Sequence, residues 1–400
     1  MVPWLSRAAP DTLAVEADDG ALTYGELLAR AGAGAAELRG ASRVAIALPA
    51  GLEFAVALHA CLLAGAAAVP VDLREPVPRL AGAEITIDAP LPRTPRTSRT
   101  PRTPDLSTPA LVVHTSGTTG TPRPVVLTLG QIHHNALGCA VALGHDRAER
   151  WLCPLPLSHV GGLMVLLRST IYGTTAVLGA ADRDDVTIAS LVPTQLGRLL
   201  DREPPASLRV VMLGGAPADL TLLTRARDAG WPVAPTYGLT QACSAVTVAP
   251  VGDTETSGQP LPGVSVTVQD DGEIVVDGPT VAERLHTGDL GELDARGRLR
   301  VLGRKADTIV SGGENVMPSE VEAALLAHPA VAEAGVFGRP DPQWGEAVTA
   351  HVVLRAPLEP GELREFAAAR LARFKAPKTI EPVTSLPRNA GGKLLRRELR

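Results

Sequence analysis

Short apolar runs recur along the chain, and each one closes on glycine, proline or a hydroxyl residue. Val44-Ala45-Ile46-Ala47-Leu48 predicts a strand, residues 54–63 an Ala-rich helix, and Ala67-Ala68-Val69-Pro70-Val71 another strand. Strand, helix, strand in this rhythm predicts a parallel sheet. Leu22-Thr23-Tyr24-Gly25-Glu26-Leu27 opens a helix, with Thr23 and Glu26 at capping-box spacing. Leu111-Val112-Val113 and Val125-Val126-Leu127 read as strands, the second followed by a helix through Leu137. An apolar helix near Leu166-Leu167-Arg168-Ser169-Thr170 carries one charge, Arg168. Ile188-Ala189-Ser190-Leu191 reads as a strand running into a turn at Val192-Pro193-Thr194, and Val210-Val211-Met212-Leu213 is another strand. Ligands of open α/β sheets collect beyond the carboxyl ends of the strands. Three of these ends are therefore expected to form one floor.

Between Gly263 and Leu302 the pattern changes to short alternating runs, such as Val264-Ser265-Val266-Thr267-Val268 and Glu273-Ile274-Val275-Val276, which predict a small antiparallel barrel or sheet. A second unit begins beyond Gly303-Arg304-Lys305-Ala306-Asp307. There Ser319 and Glu322 are spaced to cap a helix, residues 331–337 and 348–354 alternate as strands, and residues 362–374 read as a helix. The expected fold is α/β. A large N-terminal domain (residues 1–303) of mostly parallel sheets flanked by helices carries a small β-barrel-like subdomain. A hinge joins it to a small α+β C-terminal domain (residues 304–400), a size adequate for an independent unit. Residues 91–105 break the rhythm with a Pro-Arg-Thr repeat that cannot bury a core. They are expected to be an extended, mobile, solvated surface segment, the basic docking strip being the less favoured reading.

Four hundred residues exceed one ordinary core, which agrees with two domains. With aromatics at 3%, Ala, Val and Leu must fill the interior. A net charge of −5 argues against a nucleic-acid surface. Cys61, Cys139, Cys153 and Cys243 have no paired spacing, so neither a zinc site nor a disulfide framework is expected. No apolar run is long enough for membrane insertion and no secretory leader pattern opens the chain, so the expected location is cytoplasmic. The oligomeric state stays open, with a homodimer as one option.

The densest candidate chemistry is Thr115-Ser116-Gly117-Thr118-Thr119-Gly120-Thr121-Pro122-Arg123, where five hydroxyl residues and two glycines fall within the first seven positions, directly after a buried strand. Glycines admit backbone N–H groups to phosphate oxygens, hydroxyls donate to them, and Arg123 adds a fixed charge. It is not a P-loop, since no Gly-Lys-Ser/Thr ends it. Three further polar stretches recur: Gly214-Gly215-Ala216-Pro217, Thr236-Tyr237-Gly238-Leu239-Thr240-Gln241 and His286-Thr287-Gly288-Asp289. The chain then approaches its end through Pro387-Arg388-Asn389-Ala390-Gly391-Gly392-Lys393, a lysine beside two glycines.

Taken together, these motifs resemble the adenylate-forming superfamily of acyl-CoA synthetases, adenylation domains and luciferases. Ser116-Gly117-Thr118-Thr119-Gly120-Thr121-Pro122, Tyr237-Gly238-Leu239-Thr240, Thr287-Gly288-Asp289, Gly303-Arg304 and Gly392-Lys393 match its signatures in order, across nearly the whole chain. Within it, the chain is similar to the o-succinylbenzoate–CoA ligase branch, which serves menaquinone biosynthesis. That likeness rests on residues 155–163, 168–173, 190–196 and Ser311-Gly312-Gly313-Glu314-Asn315.

The resemblance implies a reaction in two halves. The carboxylate of a small acid attacks the α-phosphorus of ATP, giving an acyl-adenylate and pyrophosphate, and the thiol of coenzyme A then displaces AMP. Thr115, Ser116, Gly117, Thr118, Thr119, Gly120 and Arg123 are implied to hold phosphates, and Gly214, Gly215, Ala216, Thr236, Tyr237 and Gly238 to line the adenine slot. Gly215 is also implied to touch the acyl group. Asp289 is implied to accept from the ribose hydroxyls, and Arg304 to contact ribose or phosphate. Thr240 and His159 join Lys393 as implied catalytic residues, with Lys393 bridging carboxylate and α-phosphate. Lys393→Ala is accordingly expected to abolish adenylation while sparing thioester formation from synthetic acyl-adenylate. The small domain is implied to rotate about residues 304–307 between the halves, bringing Ser311, Gly312, Gly313 and Glu314 to the coenzyme A site. His159 reads equally as a satisfied structural histidine or as a gating or substrate-binding residue beside the acyl channel. Arg168, alone on its apolar helix, is either a snorkelling edge residue or the partner of the second, non-reacting carboxylate of o-succinylbenzoate.

Two positions depart from the family pattern. The phosphate loop usually ends Pro-Lys-Gly but here reads Pro122-Arg123-Pro124, where Pro124 removes a donor. Gln241 stands where the family has the glutamate that binds Mg²⁺, and a neutral amide oxygen is the weaker ligand for a hard cation. Thr119 is implied as a further ligand. The alternatives to a CoA ligase are a stand-alone adenylation enzyme that loads a carrier protein, and a nucleotide-binding protein that has lost catalysis.

Overall fold

The computed structural model describes residues 8–93, 105–115, 123–388 and 394–400. Most of the Pro-Arg-Thr repeat, the phosphate-loop residues 116–122 and residues 389–393 with Lys393 lie outside them.

Two sheets dominate the first three hundred residues. In one, Ile85–Ile87, Arg43–Ile46, Ala67–Pro70 and Pro109–His114 run parallel, and Pro124–Thr128 returns antiparallel at the edge. The other has nine strands. Its parallel centre runs Val233–Leu239, Val210–Leu213, Ile188–Leu191, Arg150–Cys153, Thr175–Leu178, Leu13–Ala17. Antiparallel strands extend both ends: Gly20–Thr23 on one side, Ser244–Val248 and Gln259–Pro260 on the other. Central strands such as Ala67–Pro70 and Val210–Leu213 are buried at every position, which is why they read as unbroken apolar runs.

Helices Leu52–Ala64 and Val160–Tyr172 are the central helices, the second packed on the nine-stranded sheet. Leu52–Ala64 packs on strands of both sheets. Each has ten buried residues, and a helix apolar on all sides belongs inside a core. His59 joins them, its Nδ1 donating to the Ala55 carbonyl at 2.7 Å and its Nε2 lying 3.0 Å from the Thr170 hydroxyl. Helices Tyr24–Glu37 and Leu129–Leu143 both start in complete capping boxes, Thr23 with Glu26 and Thr128 with Gln131. A cap of this kind stabilises a helix by about 1 kcal/mol. The second helix runs six residues past its expected end at Leu137.

Strands Ser265–Val268, Glu273–Asp277, Leu285–Leu293 and Leu299–Arg304 make an open antiparallel sheet, the sheet form of the expected barrel-or-sheet unit. After a short turn at Lys305–Asp307 the chain enters a five-stranded sheet. Gly345–Leu354 lies inside it, paired with the edge strand Val331–Asp341 on one side and with Ile309–Ser311 and Thr379–Pro382 on the other, and Glu314–Val316 pairs with Ile309–Ser311. Helices Pro318–Leu326 and Pro360–Ala368 cover it.

Three local expectations are corrected. Ser319 and Glu322 do not cap the helix Pro318–Leu326: Met317 holds the cap position and Pro318 opens the helix without needing a donor. Ser319 instead donates its hydroxyl to the Leu302 carbonyl, and Glu322 accepts from the Val336 amide and from Arg396. Strand Ile188–Leu191 leads into a helix, Pro193–Leu199, rather than a simple turn. The helix expected over 362–374 ends at Ala368. All four cysteines are buried and free. No helix among the described residues is long and apolar enough to cross a membrane.

Candidate active site

Three neighbouring parallel strands, Ile188–Leu191, Val210–Leu213 and Val233–Leu239, end side by side. Beyond Leu213 come Gly214 and Gly215, both dictated by crowding and backbone shape. A Cβ on Gly214 would stand 2.5 Å from the Thr236 hydroxyl oxygen, which itself donates to the Leu213 carbonyl at 3.0 Å. Gly215 has φ +78°, the left-handed region. Ala216 is half-buried beside them. Beyond Tyr237, a Cβ on Gly238 would meet the Ser244 carbonyl at 2.0 Å.

Thr240–Ala242 form a single 3₁₀ turn, followed by two non-glycine residues at positive φ, Cys243 (+57°) and Ser244 (+89°). Such backbone persists only where the surroundings over-determine it. Here Cys243 is buried and its amide donates to the Thr240 carbonyl at 3.1 Å. The turn leaves the Gln241 side chain exposed. Cα atoms of this turn lie within 8 Å of strand Pro124–Thr128, which leaves the phosphate loop. The base of that loop is closed by the Thr115 amide donating to the Arg123 carbonyl at 3.0 Å, and Arg123 is exposed. The fold therefore brings the borders of two motifs together although Thr128 and Gln241 are 113 positions apart in the chain.

Asp289 sits on strand Leu285–Leu293 and is 5% exposed. The Tyr237 hydroxyl donates to its Oδ2 at 2.8 Å, and Arg304 Nε lies 2.7 Å from its Oδ1. Tyr237, Asp289 and Arg304 are thus one network joining two sheets. Burial and the Asp289 charge both push the Tyr237 phenol up, so it stays a donor. The turn is held from below: Thr287 donates to the Ile274 carbonyl at 2.7 Å, the Gly288 amide to Glu273 at 3.0 Å, and Gly288 has φ +69°. Glu273 gave no signal in the sequence, since it looks like one polar position of an alternating strand.

His159 precedes helix Val160–Tyr172, and burial holds its imidazole below the usual histidine range. Asp72, Arg74 and Glu75, on the segment after strand Ala67–Pro70, act on it electrostatically. Arg74 chelates Asp72 at 2.8 and 2.6 Å, holding that carboxyl at about 2. Gly162 admits the chain there, because a Cβ would stand 2.6 Å from the Pro156 carbonyl oxygen.

Arg168 is 2% exposed, so it is no snorkelling edge residue. Its Nη2 donates to Asn135 Oδ1 at 2.7 Å, and its guanidinium carbon stands 5.6 Å from the Trp151 ring centre. No carboxylate among the described residues pairs with it, and its Nε has no hydrogen-bond partner. Asn135 was missed in the sequence, where its signal was a polar residue in step with Ile132, Ala136 and Cys139 on the buried face of its helix.

In the last sheet Gly312 (φ +62°) and Gly313 (φ +84°) make the two-residue turn joining Ile309–Ser311 to Glu314–Val316. Two successive left-handed residues suit such a hairpin. Gly312 donates its amide to the Trp344 carbonyl at 2.7 Å, and a Cβ on it would press on the Trp344 ring at 3.1 Å. Lys378 Nζ lies 4.8 Å from that ring centre. Ser311 is buried with a hydroxyl that lacks a partner, while Glu314 is exposed.

The residues flanking 389–393 are anchored on both sides. Arg388 pairs with Glu333 at 2.6 Å and bridges to Leu394, while Arg396 grips both oxygens of Glu322, donates to the Val336 carbonyl at 2.8 Å and lies 3.4 Å from Asp307. No group of three or more His, Cys, Asp or Glu among the described residues could hold a metal ion. Of the two residues expected as Mg²⁺ ligands, Gln241 is exposed and neutral, and Thr119 lies outside the described residues.

The chain matches the AMP-binding enzyme family over residues 4–85 and 80–286, and the AMP-binding enzyme C-terminal domain over residues 320–393. It is 36% identical, over 471 aligned positions, to 2-succinylbenzoate–CoA ligase of Bacillus subtilis, covering 99% of this chain and 97% of the relative. The same-named protein of Bacillus pumilus is 40% identical over 74% of this chain and 69% of the relative. Among solved structures, o-succinylbenzoate CoA synthetase from Bacillus subtilis with its acyl-adenylate intermediate superposes with a TM-score of 0.87 at 34% identity, covering 100% and 98% of the two chains. ATP-bound MatB from Rhodopseudomonas palustris superposes with a TM-score of 0.89 at 26% identity, covering 99% and 97%. Backbone shape alone therefore does not choose between differently named members, and side chains must. On these matches and the order of its motifs, the chain belongs to the AMP-binding enzyme family.

Proposed function

We propose that this chain is an ATP-dependent acid–CoA ligase that works through an acyl-adenylate, and that its acid is o-succinylbenzoate. The observation that carries the substrate choice is Arg168. A buried guanidinium without an anion is costly, because its lost hydration is not replaced by a counter-charge. A second carboxylate on the substrate, reached directly or through water, replaces it. The near full-length likeness to proteins named for that substrate supports the same reading.

In the proposed mechanism the strand ends at 191, 213 and 239 hold the nucleotide. Asp289 keeps acceptor sites for the ribose hydroxyls, since its two protein partners occupy two of about four lone-pair positions. Both halves of the reaction gather negative charge, so fixed cations and donors supply most of the rate. Lys393 offsets the charge built as the carboxylate attacks, and neutral His159 lies beside the acyl group. Thr119 and Gln241 are the residues that would hold a magnesium ion, which would offset phosphate charge, and Gln241 would do so without a charge of its own. Between the halves, residues 304–400 turn about 304–307. Lys393 leaves, and the 311–314 turn, backed by Trp344, faces the incoming thiol of coenzyme A.

Pyrophosphate release with o-succinylbenzoate, benzoates and medium-chain acids tests the enzyme reading, and thioester formation with free coenzyme A tests it against carrier loading. Arg168→Ala should raise the KM for o-succinylbenzoate at least tenfold. An unchanged KM would sink the substrate assignment while leaving the ligase chemistry standing.

A further inference from the structure

We propose that Asn135 is a specificity-determining residue: it holds Arg168 with a neutral acceptor, leaving the guanidinium charge free for a second carboxylate on the substrate. The inference rests on the reading of Arg168 given above and extends it to the residue behind it.

Asn135 is fully buried on helix Leu129–Leu143, and its amide orientation is set from two sides. Its Nδ2 donates to the Ala245 carbonyl at 2.8 Å, so its Oδ1 must face Arg168 Nη2 at 2.7 Å. That hydrogen bond fixes where the guanidinium points without cancelling its charge. The other groups that act on Arg168 are neutral too. Trp151 offers a ring face, and the thiols of Cys139 and Cys243 and the phenol of Tyr172 sense its charge. Burial raises all three, Cys243 to about 12, so none is an anion near pH 7. The Tyr172 hydroxyl is itself committed to the Ala136 carbonyl.

An aspartate has nearly the same shape as asparagine and would form a charge-assisted pair with Arg168 at this distance, while losing the donor to the Ala245 carbonyl. It would satisfy the cation from inside the protein and make the substrate's second carboxylate redundant. Asparagine keeps the geometry and withholds the charge. Selectivity arises because a monoacid leaves the buried cation unmet and a diacid does not.

The test compares wild type, Asn135→Asp and Asn135→Ser on two acids: o-succinylbenzoate, and its analogue lacking the carboxylate that does not react. Asn135→Asp should raise the KM for the diacid at least tenfold and leave the analogue's KM within twofold, so that the preference for the diacid collapses. Asn135→Ser, which loses the hold without adding a charge, should raise the diacid KM about threefold to fivefold with the analogue again unaffected. If Asn135→Asp does not fold, as judged by its melting curve and ATP affinity, the serine variant carries the test. Equal changes with both acids would mean a purely structural role and would overturn the proposal, as would no change with either. Failure of the underlying reading looks different: wild type would then show no preference for the diacid over the analogue, whatever residue 135 is.

Discussion

Replacing Asp289 by asparagine removes one charge from a carboxylate that is 5% exposed and joins Tyr237 to Arg304. The substitution conserves volume, so its cost is electrostatic. Hydrogen bonds to a charged acceptor contribute about 1.5–3 kcal/mol each, against about 1 kcal/mol for neutral pairs. An amide keeps one oxygen and turns two hydrogens outward, and one of these must then face the Tyr237 hydroxyl, the Arg304 guanidinium or the ribose. With two ribose hydroxyls relying on the side chain, the loss of ATP binding works out at about 2–4 kcal/mol, or roughly 30-fold to 1,000-fold in Kd. Calorimetric titration of ATP without any acid substrate measures this directly. A second arm uses 2′-deoxy-ATP, which should lose most of its affinity difference from ATP in the Asp289→Asn variant, because the missing hydroxyl has no charged acceptor left to miss. The ion pair with Arg304 is one-third exposed on the arginine side and adds less than about 1 kcal/mol to the fold, so the melting temperature should move only a little. An ATP Kd within threefold of wild type would refute the assignment of Asp289 to the ribose. So would equal discrimination between ATP and its deoxy analogue in both proteins.

Gln241→Glu restores a carboxylate beside the phosphate-loop exit, and turnover at low magnesium should rise several-fold while turnover at saturating magnesium changes little; a magnesium titration of pyrophosphate release that gives the same half-saturation for both proteins would contradict this. His59 is pushed down to about 4 by burial, against 6.5 unperturbed. The unfolded chain therefore binds one more proton between those values, and stability present above pH 6.5 is lost as pH falls toward 4, by about 3 kcal/mol. His59→Gln should remove that slope, so urea midpoints taken every half pH unit should fall less steeply for the variant between pH 6.5 and 4; parallel curves would show that His59 is not the group responsible.

The parts of the fold legible in the sequence share one property: they depend on neighbours two to four positions away. Alternation or unbroken apolarity marked the strands, and Thr23 with Glu26 marked the start of a helix that the structure caps as expected. The same rule failed at Ser319 and Glu322. There the right spacing was present, but a distant carbonyl and a distant arginine competed for both side chains. The order of five motifs pointed to the superfamily without any geometry, since each motif is a short run of neighbouring residues.

What only the tertiary structure decided are the pairings between remote positions. Tyr237 reaches Asp289 across 52 residues, Asn135 reaches Arg168 across 33, and Arg396 reaches Glu322 across 74. On its own, the sequence presented Arg168 with two readings, an edge residue or an anion-binding one, because an arginine's neighbours along a helix say little about what faces it across the core. Packing two sheets about the central helices removed its water and gave it a neutral partner. Chain-local chemistry thus set which elements form and which superfamily they belong to. The cost of an uncompensated charge at Arg168 exists only where water has been excluded, and that exclusion is a property of the packed chain rather than of any local run of residues.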